Sequence, residues 1–245
     1  LWLVNFIIGF GESVGWPDCF VVIVDTNILT CSLLPTENRN MSASIHAAIE
    51  AARSGKCKEE NFLVEITFLG QAGLFIETRR GSILCDPWFN PAYFASWFPF
   101  PSNEDVDLAK ISRPTYLYVS HLHHDHFDPD FLREHVWKEA TMLLPDYPLD
   151  LLERELRKIG FTKFLQPKNC EAVEVDGLRF MMMAMVAPID GPLGDSSLMV
   201  DDGETRILNQ NDSRPMDLDL LNNFGPYDAH FLQFSGAIWY PMVYQ

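Results

Sequence analysis

The sequence predicts an α/β or α+β layered domain, with sheets covered by helices, and three observations carry this. Short apolar strands follow one another from Phe62 onward, separated by glycine turns. Helical segments with recognisable caps are interposed among the later strands. The length, 245 residues, suffices for one large domain or two small ones with a sizeable core.

Residues 1–60 read as an uncertain N-terminal extension, and residues 61–245 as the main domain. The chain opens on Leu1 rather than Met, as a fragment or an extended reading would. Leu1 to Phe10 is apolar but too short to span a bilayer, and it lacks a basic flank. Phe20 to Leu34 is interrupted by Asp25 and Asn27, so neither a signal peptide nor a transmembrane helix is expected. Val21 to Leu29 reads as a buried strand ending in a polar turn. Ser42 to Ser54 is a helix: Ile45, Ala48, Ile49 and Ala52 share a face, and Gly55 suits its end. Met41 just before it is a plausible start, which would leave the first forty residues outside the function.

In the main domain, Val64–Leu69, Leu74–Thr78 and Ser82–Cys85 form a meander with turns at Gly70, Gly73 and Arg80-Gly81. Tyr116–Ser120 and Thr141–Leu144 are further strands. Between them Asp128-Pro129 opens a helix with a capping carboxylate and a proline at the first helical position. Leu149–Ile159 is a helix closed by Gly160. Phe180–Val186, Ser197–Val200, Arg206–Leu208 and Ala229–Phe234 complete the strands, with Met181-Met182-Met183 buried inside one. Ser102 to Lys110 and Asp201 to Glu204 are acidic and expected on solvated faces.

Composition removes several functions. The formal net charge is −16, and no stripe of Lys and Arg is available for a phosphate backbone or an anionic membrane. Apolar residues at 47% and charged residues at 21% match a globular chain. The five cysteines are odd in number and scattered without C-x-x-C, as expected of reduced thiols in a cytoplasmic protein.

The chemistry concentrates in Ser120-His121-Leu122-His123-His124-Asp125-His126, between an apolar strand and a helix. Four of the seven histidines fall in six positions. A strand-end loop turns alternate imidazoles to one side, so His121 and His123 offer two nitrogens to one cation, while Asp125 and His126 face a second. Neutral imidazole with carboxylate suits zinc first, with iron or manganese as alternatives. His124 is the spare.

These residues resemble the metallo-β-lactamase-fold superfamily of metal hydrolases, from about Val64 onward. The resemblance rests on Ile66–Gly73, on Ile83-Leu84-Cys85-Asp86-Pro87-Trp88, on His121 to His126, and on Leu208-Asn209-Gln210-Asn211-Asp212-Ser213. It implies an αββα sandwich of two mixed sheets, two divalent cations, Asp86 bracing the metal loop from outside the ligand set, and Asp212 bridging the ions. The spacing and the Asp-Pro-Trp are similar to the branch with ascorbate-phosphate lactonase and N-acylphosphatidylethanolamine phospholipase D. A closer likeness, carried by Ile83–Trp88 and Gln233–Pro241, is to the non-Rieske part of CMP-N-acetylneuraminate hydroxylase-like proteins. A Rieske cluster needs two Cys-His pairs, and this sequence has neither C-x-H nor C-x-x-H. Val21–Leu29 also looks like the first strand of a PIN-type nuclease, but no array of acidic helices follows.

The sequence departs from the superfamily at two places. Its usual mid-chain histidine is missing from Met185–Pro192; Asp190 stands there as a replacement carboxylate or as a turn residue. Nothing after His230 serves as the last histidine, and His230 itself reads as a packed or capping residue. The domain is therefore expected to be truncated at its C-terminus, with one ion short of a nitrogen donor. The aromatic stretch Pro91–Pro101, with Tyr93, Trp97 and Phe98, is either a wall over substrate or a plug on the core.

The resemblance implies a hydrolase in which a metal-activated hydroxide, oriented by Asp125 and Asp212, attacks an ester, lactone, amide or phosphodiester of a small, anionic substrate. The alternative is a metal-bearing or degenerate domain of a sialate-hydroxylase-like Rieske system, binding a nucleotide-sugar and an electron-transfer partner.

Overall fold

The computed structural model describes residues 21–24, 29–33, 64–185, 194–213 and 217–232. The expected helix at 42–54, Asp190 and the stretch 233–241 lie outside the described residues. The first sheet has eight strands in chain order: β1 (Val21–Val24), β2 (Leu29–Leu33), β3 (Val64–Gly70), β4 (Gly73–Thr78), β5 (Gly81–Cys85), β6 (Tyr116–Tyr118), β7 (Thr141–Leu143) and β8 (Phe164–Leu165). The first five are antiparallel and β5 to β8 run parallel. Instead of one strand over 21–29 there are two, and β2 pairs along β3 from Leu29 opposite Phe68 to Leu33 opposite Val64.

The second sheet has the order β13-β12-β11-β10-β9, from β9 (Val173–Val175), β10 (Leu178–Met185), β11 (Asp195–Asp201), β12 (Arg206–Asn211) and β13 (Ala229–Leu232). Only β12 and β13 are parallel. Helices α1 (Leu108–Ile111), α2 (Pro129–His135), α3 (Leu151–Ile159) and α4 (Leu218–Phe224) complete the described elements.

Period-two alternation assigns the layers. Ile66, Ile76, Ile83 and Tyr118 of the first sheet meet Phe180, Met182, Leu198 and Val200 of the second in an inter-sheet core. The opposite face of the first sheet, with Phe75, Leu84 and Leu117, packs on Phe131 and Leu132 of α2 and Leu152 and Leu156 of α3. Beyond the second sheet, Met181, Met183 and Met199 pack on Leu221 and Phe224 of α4. The order is helix, sheet, sheet, helix. Strands β5 and β10 read as continuous apolar runs because both their faces are covered, so the three methionines are buried, two facing α4 and one facing the inter-sheet core.

Caps set the helix ends. Asp128 accepts from the Phe131 amide with Pro129 behind it, and Gly160, at φ +114°, ends α3. Helix α3 starts at Leu151 rather than Leu149, because Pro148 precedes the cap at Asp150. Helix α4 had no sequence expectation; it is only two turns long, although Asp217 caps it by accepting from the Leu220 amide. The two expected solvated stretches are exposed or half-buried except at one residue in each. Asn103 is buried and its amide donates to the carbonyls of Leu69 and Trp88 at 2.9 and 2.8 Å, tying the loop between β5 and β6 to the sheet. Asp201 is buried beside β12, where Arg206 Nε meets it at 2.8 Å.

Candidate metal centre

Strand ends from both sheets converge at one edge of the sandwich. β5 runs out to Asp86, β6 runs out through Val119 and Ser120 into the histidine loop, β11 begins at Asp195, and β12 runs out to Asp212. The expected strand over Tyr116–Ser120 stops at Tyr118 because the Ser120 amide turns to Asp86 Oδ1, at 2.7 Å, instead of a neighbouring strand.

The hydrogen bonds around Ser120 fix the histidine tautomers. Asp86 is fully buried, and an ionised carboxylate only accepts. The Ser120 hydroxyl therefore donates to Asp86 Oδ2 at 2.8 Å and must accept from His121 Nδ1 at 2.9 Å. His126 Nδ1 donates to the same Asp86 oxygen at 3.1 Å. Both buried imidazoles are thus protonated on Nδ1, which leaves Nε2 as the metal-facing atom. His126 Nε2 has no aligned hydrogen bond, although Asp212 Oδ2 lies 3.3 Å away and Asp125 Oδ2 3.7 Å. A buried ring nitrogen aimed at carboxylates without a bond is what a cation would satisfy. The donor atoms of His121, His126 and Asp212 all lie within 4.8 Å of one another. His123 Nδ1 stands 2.7 Å from His121 Nε2.

Electrostatics favour the same reading. Burial, and then the neighbouring His126 and His123, drive the His121 pKa far below its usual value, so this ring is neutral and ready to ligate. Burial and His126 lower His123 also. Burial alone would lower His126, but Asp212 and Asp86 outweigh it and hold its pKa up, so a cation competes there with a proton. The donors fit a divalent transition metal.

Asp125 is buried, and each of its oxygens is taken by a neutral donor: Oδ1 by the Tyr93 hydroxyl at 2.8 Å and Oδ2 by Gln71 Nε2 at 3.1 Å. Burial, and then Asp125, keep the Tyr93 phenol protonated. The Tyr93 ring lies beside Trp97 and stacks on His124. Trp97 and Phe98 are exposed, as are Phe94 and Phe100, so this loop is not a plug on the core. Asp128 staples the loop's start to α2, accepting from the amides of Phe89 and Asn90 as well as capping the helix. His230, half-buried on β13, bonds Gln210 at 3.0 Å and is not among the clustered donors.

Sequence reasoning passed over Asp195, Gln71 and the partnership of Tyr93 with Asp125. Asp195 Oδ1 lies 3.4 Å from His121 Nδ1. Its one sequence signal is an acidic residue at the start of an apolar strand. Burial, and then the Asp212 charge, push its carboxyl up to about 8 from an ordinary 3.8. Across that window the folded metal-free chain holds a proton that the unfolded chain has released. Stability is therefore expected to fall as pH rises from about 4 to about 8, at most about 1.4 kcal/mol per unit from this group. His126 adds a slope of the same sign, so the comparison is with Asp195→Asn, which should be flatter in denaturant midpoints measured at pH 5 and pH 8. Equal slopes would remove Asp195 as the cause.

No protein-family profile matches the chain. It is 55% identical over 186 residues, 74% of this chain and 36% of the relative, to a protein of Mycolicibacterium smegmatis named as a Rieske 2Fe-2S iron–sulfur protein. It is 27% identical over 198 residues, again 74% of this chain but 31% of the relative, to the cytidine monophosphate-N-acetylneuraminic acid hydroxylase of Xenopus laevis. The chain spans about a third of the length of the curated relatives it matches. Among solved structures it is similar to a metal-dependent hydrolase from Parabacteroides distasonis, with a TM-score of 0.50 at 18% identity over 71% of each chain. It is also similar to CmlA, a diiron β-hydroxylase from Streptomyces venezuelae, with a TM-score of 0.53 at 21% identity, over 67% of this chain and 33% of that one. The fold is metallo-β-lactamase-like. These structural likenesses carry the fold and nothing finer.

Proposed function

We propose that this chain is the metal-bearing, non-Rieske domain of a Rieske-type hydroxylase system. One observation carries the reading: 186 residues match a protein named for a Rieske cluster at 55% identity, yet this chain has no Cys-His pair to hold one. The clustered donors then serve as a second, separate metal centre. His121, His123, Asp125, His126 and Asp212 would hold one or two divalent cations, iron under this reading, with Asp195 beside them. Iron bound there supplies redox and Lewis-acid chemistry.

The chain's own residues orient and shield that chemistry. Asp86 and Ser120 hold the two imidazoles in one tautomer. Asp212, next to His126 Nε2, is placed to accept a proton from a group bound at the centre. Tyr93, Trp97 and Phe98 offer flat apolar surface on which a base or sugar ring stacks, in keeping with a nucleotide-sugar substrate. Among the described residues no helix is long and apolar enough to cross a membrane. Cys85 and Cys170 are free thiols, which suits a cytoplasmic setting.

The complete His-x-His-x-Asp-His favours a second reading, a zinc hydrolase of ester, lactone, amide or phosphodiester bonds in the lactonase and phospholipase branch. There Asp125 and Asp212 would orient a nucleophilic water. Elemental analysis of the purified protein, followed by electron paramagnetic resonance and a screen of phosphodiester and lactone substrates, separates the two. Iron at near-stoichiometric content, with a signal that a reduced Rieske protein alters, is expected. Zinc with turnover of a hydrolytic substrate would replace the first reading by the second.

A further inference from the structure

We propose that Gln71 and Tyr93 are positioning residues that together hold Asp125 for the metal. The inference rests on the metal-centre reading above and holds under either chemistry. Asp125 sits inside the histidine motif, but its orientation comes from two loops far away in sequence. Gln71 lies on the turn between β3 and β4, and Tyr93 lies on the aromatic loop. A carboxylate has about four lone-pair directions, so one neutral donor on each oxygen leaves two directions for a cation and leaves the charge intact. Neutral donors thereby aim the group without competing with the metal for it.

The backbone around both donors is built for this placement. Gly70, at φ +92°, lets the turn approach the aromatic loop; a Cβ there would sit 3.0 Å from the Pro101 carbonyl oxygen. The Gln71 amide donates to the Phe100 carbonyl at 3.2 Å, locking turn and loop together. Tyr93, Phe94 and Ala95 lie at φ +47°, +60° and +57°, three consecutive non-glycine residues in the left-handed region. L-residues adopt that conformation at a cost, and such strain collects where surrounding contacts over-determine it at working sites. Here the Ala92–Trp97 bridge closes the turn, and the Tyr93 ring is held by Trp97 at 5.0 Å and His124 at 5.3 Å. The strained turn delivers one polar atom, and that atom reaches Asp125.

Tyr93→Phe keeps the ring between Trp97 and His124 and removes only the hydroxyl, so it separates the clamp from packing. Gln71→Met keeps length and removes the donor. The metal-depleted chain is titrated with Co²⁺ alone, reading both affinity and the visible ligand-field spectrum, with circular dichroism as the check on folding. Each variant should bind Co²⁺ about tenfold more weakly and the double variant about 100-fold, in the range for residues that orient metal ligands, with altered spectra. Trp137→Ala, exposed between α2 and β7 and away from the clamp, should match the wild type. If Tyr93→Phe and the double variant bind with unchanged affinity and spectrum, the clamp is wrong while the metal centre stands. A wild-type chain that takes up no Co²⁺ overturns the metal reading itself, and the clamp with it. Should Gln71→Met fail to fold, Tyr93→Phe alone decides.

Discussion

Replacing His121 and Asp212 together by alanine is expected to abolish metal binding while the sandwich stays folded. The pair removes one nitrogen from the loop after β6 and one carboxylate from the end of β12, so His126 alone remains of the three donors that lie together. The effect should be visible in stability as well as in metal content. A cation that binds only the folded chain, supplied at about 1,000 times its Kd, stabilises by about 4 kcal/mol. For a chain of this size that raises Tm by roughly 8–16 °C. The wild type should show this rise on adding metal, and the double variant none. Metal content by mass spectrometry that matched the wild type would mean the ion sits elsewhere.

Asp86→Asn is expected to have the second largest effect, although Asp86 need not touch the metal. Its carboxylate accepts from the Ser120 amide, the Ser120 hydroxyl and His126 Nδ1, all in a buried pocket. An amide keeps one acceptor for the Ser120 N–H but turns donors toward the other two. The His126 proton must then leave Nδ1, and Nε2–H would point at the metal position. We expect metal affinity to drop about 10–100-fold. Unsatisfied buried donors should also cost about 1–3 kcal/mol of metal-free stability. Isothermal titration and denaturant unfolding read the two effects separately. Full affinity in a folded Asp86→Asn chain would mean that Asp86 does not set the tautomer, and total loss would make it a direct ligand.

The histidine loop was legible because ligand residue types crowd into six positions, and crowding is a local property that needs no fold to notice. The strands of the main domain were legible for a similar reason: apolar runs bounded by glycine survive whatever partner they meet. Elements of two to four residues, such as β8, β9 and α1, carry too little periodicity to stand out. Asp86 and Asp212 were reached only through resemblance, since nothing within ten residues of either marks it as part of a metal site. Asp201 was misjudged because its partner, Arg206, becomes a neighbour only through the β11–β12 hairpin register.

The sequence by itself determined the layered class, the longer strands of the main domain, the Asp128 and Gly160 caps, and the histidine loop, because periodicity, capping and ligand crowding act over a few residues. Only the tertiary structure decided which carboxylates face those histidines. Asp195 lies on a strand start more than seventy residues beyond His121, and Gln71 some fifty residues before Asp125. They meet because two sheets pack face to face and present their strand ends at one edge. That packing also moved pKa values, raising Asp195 to about 8, by excluding water from groups that would be ordinary acids and bases in an open chain.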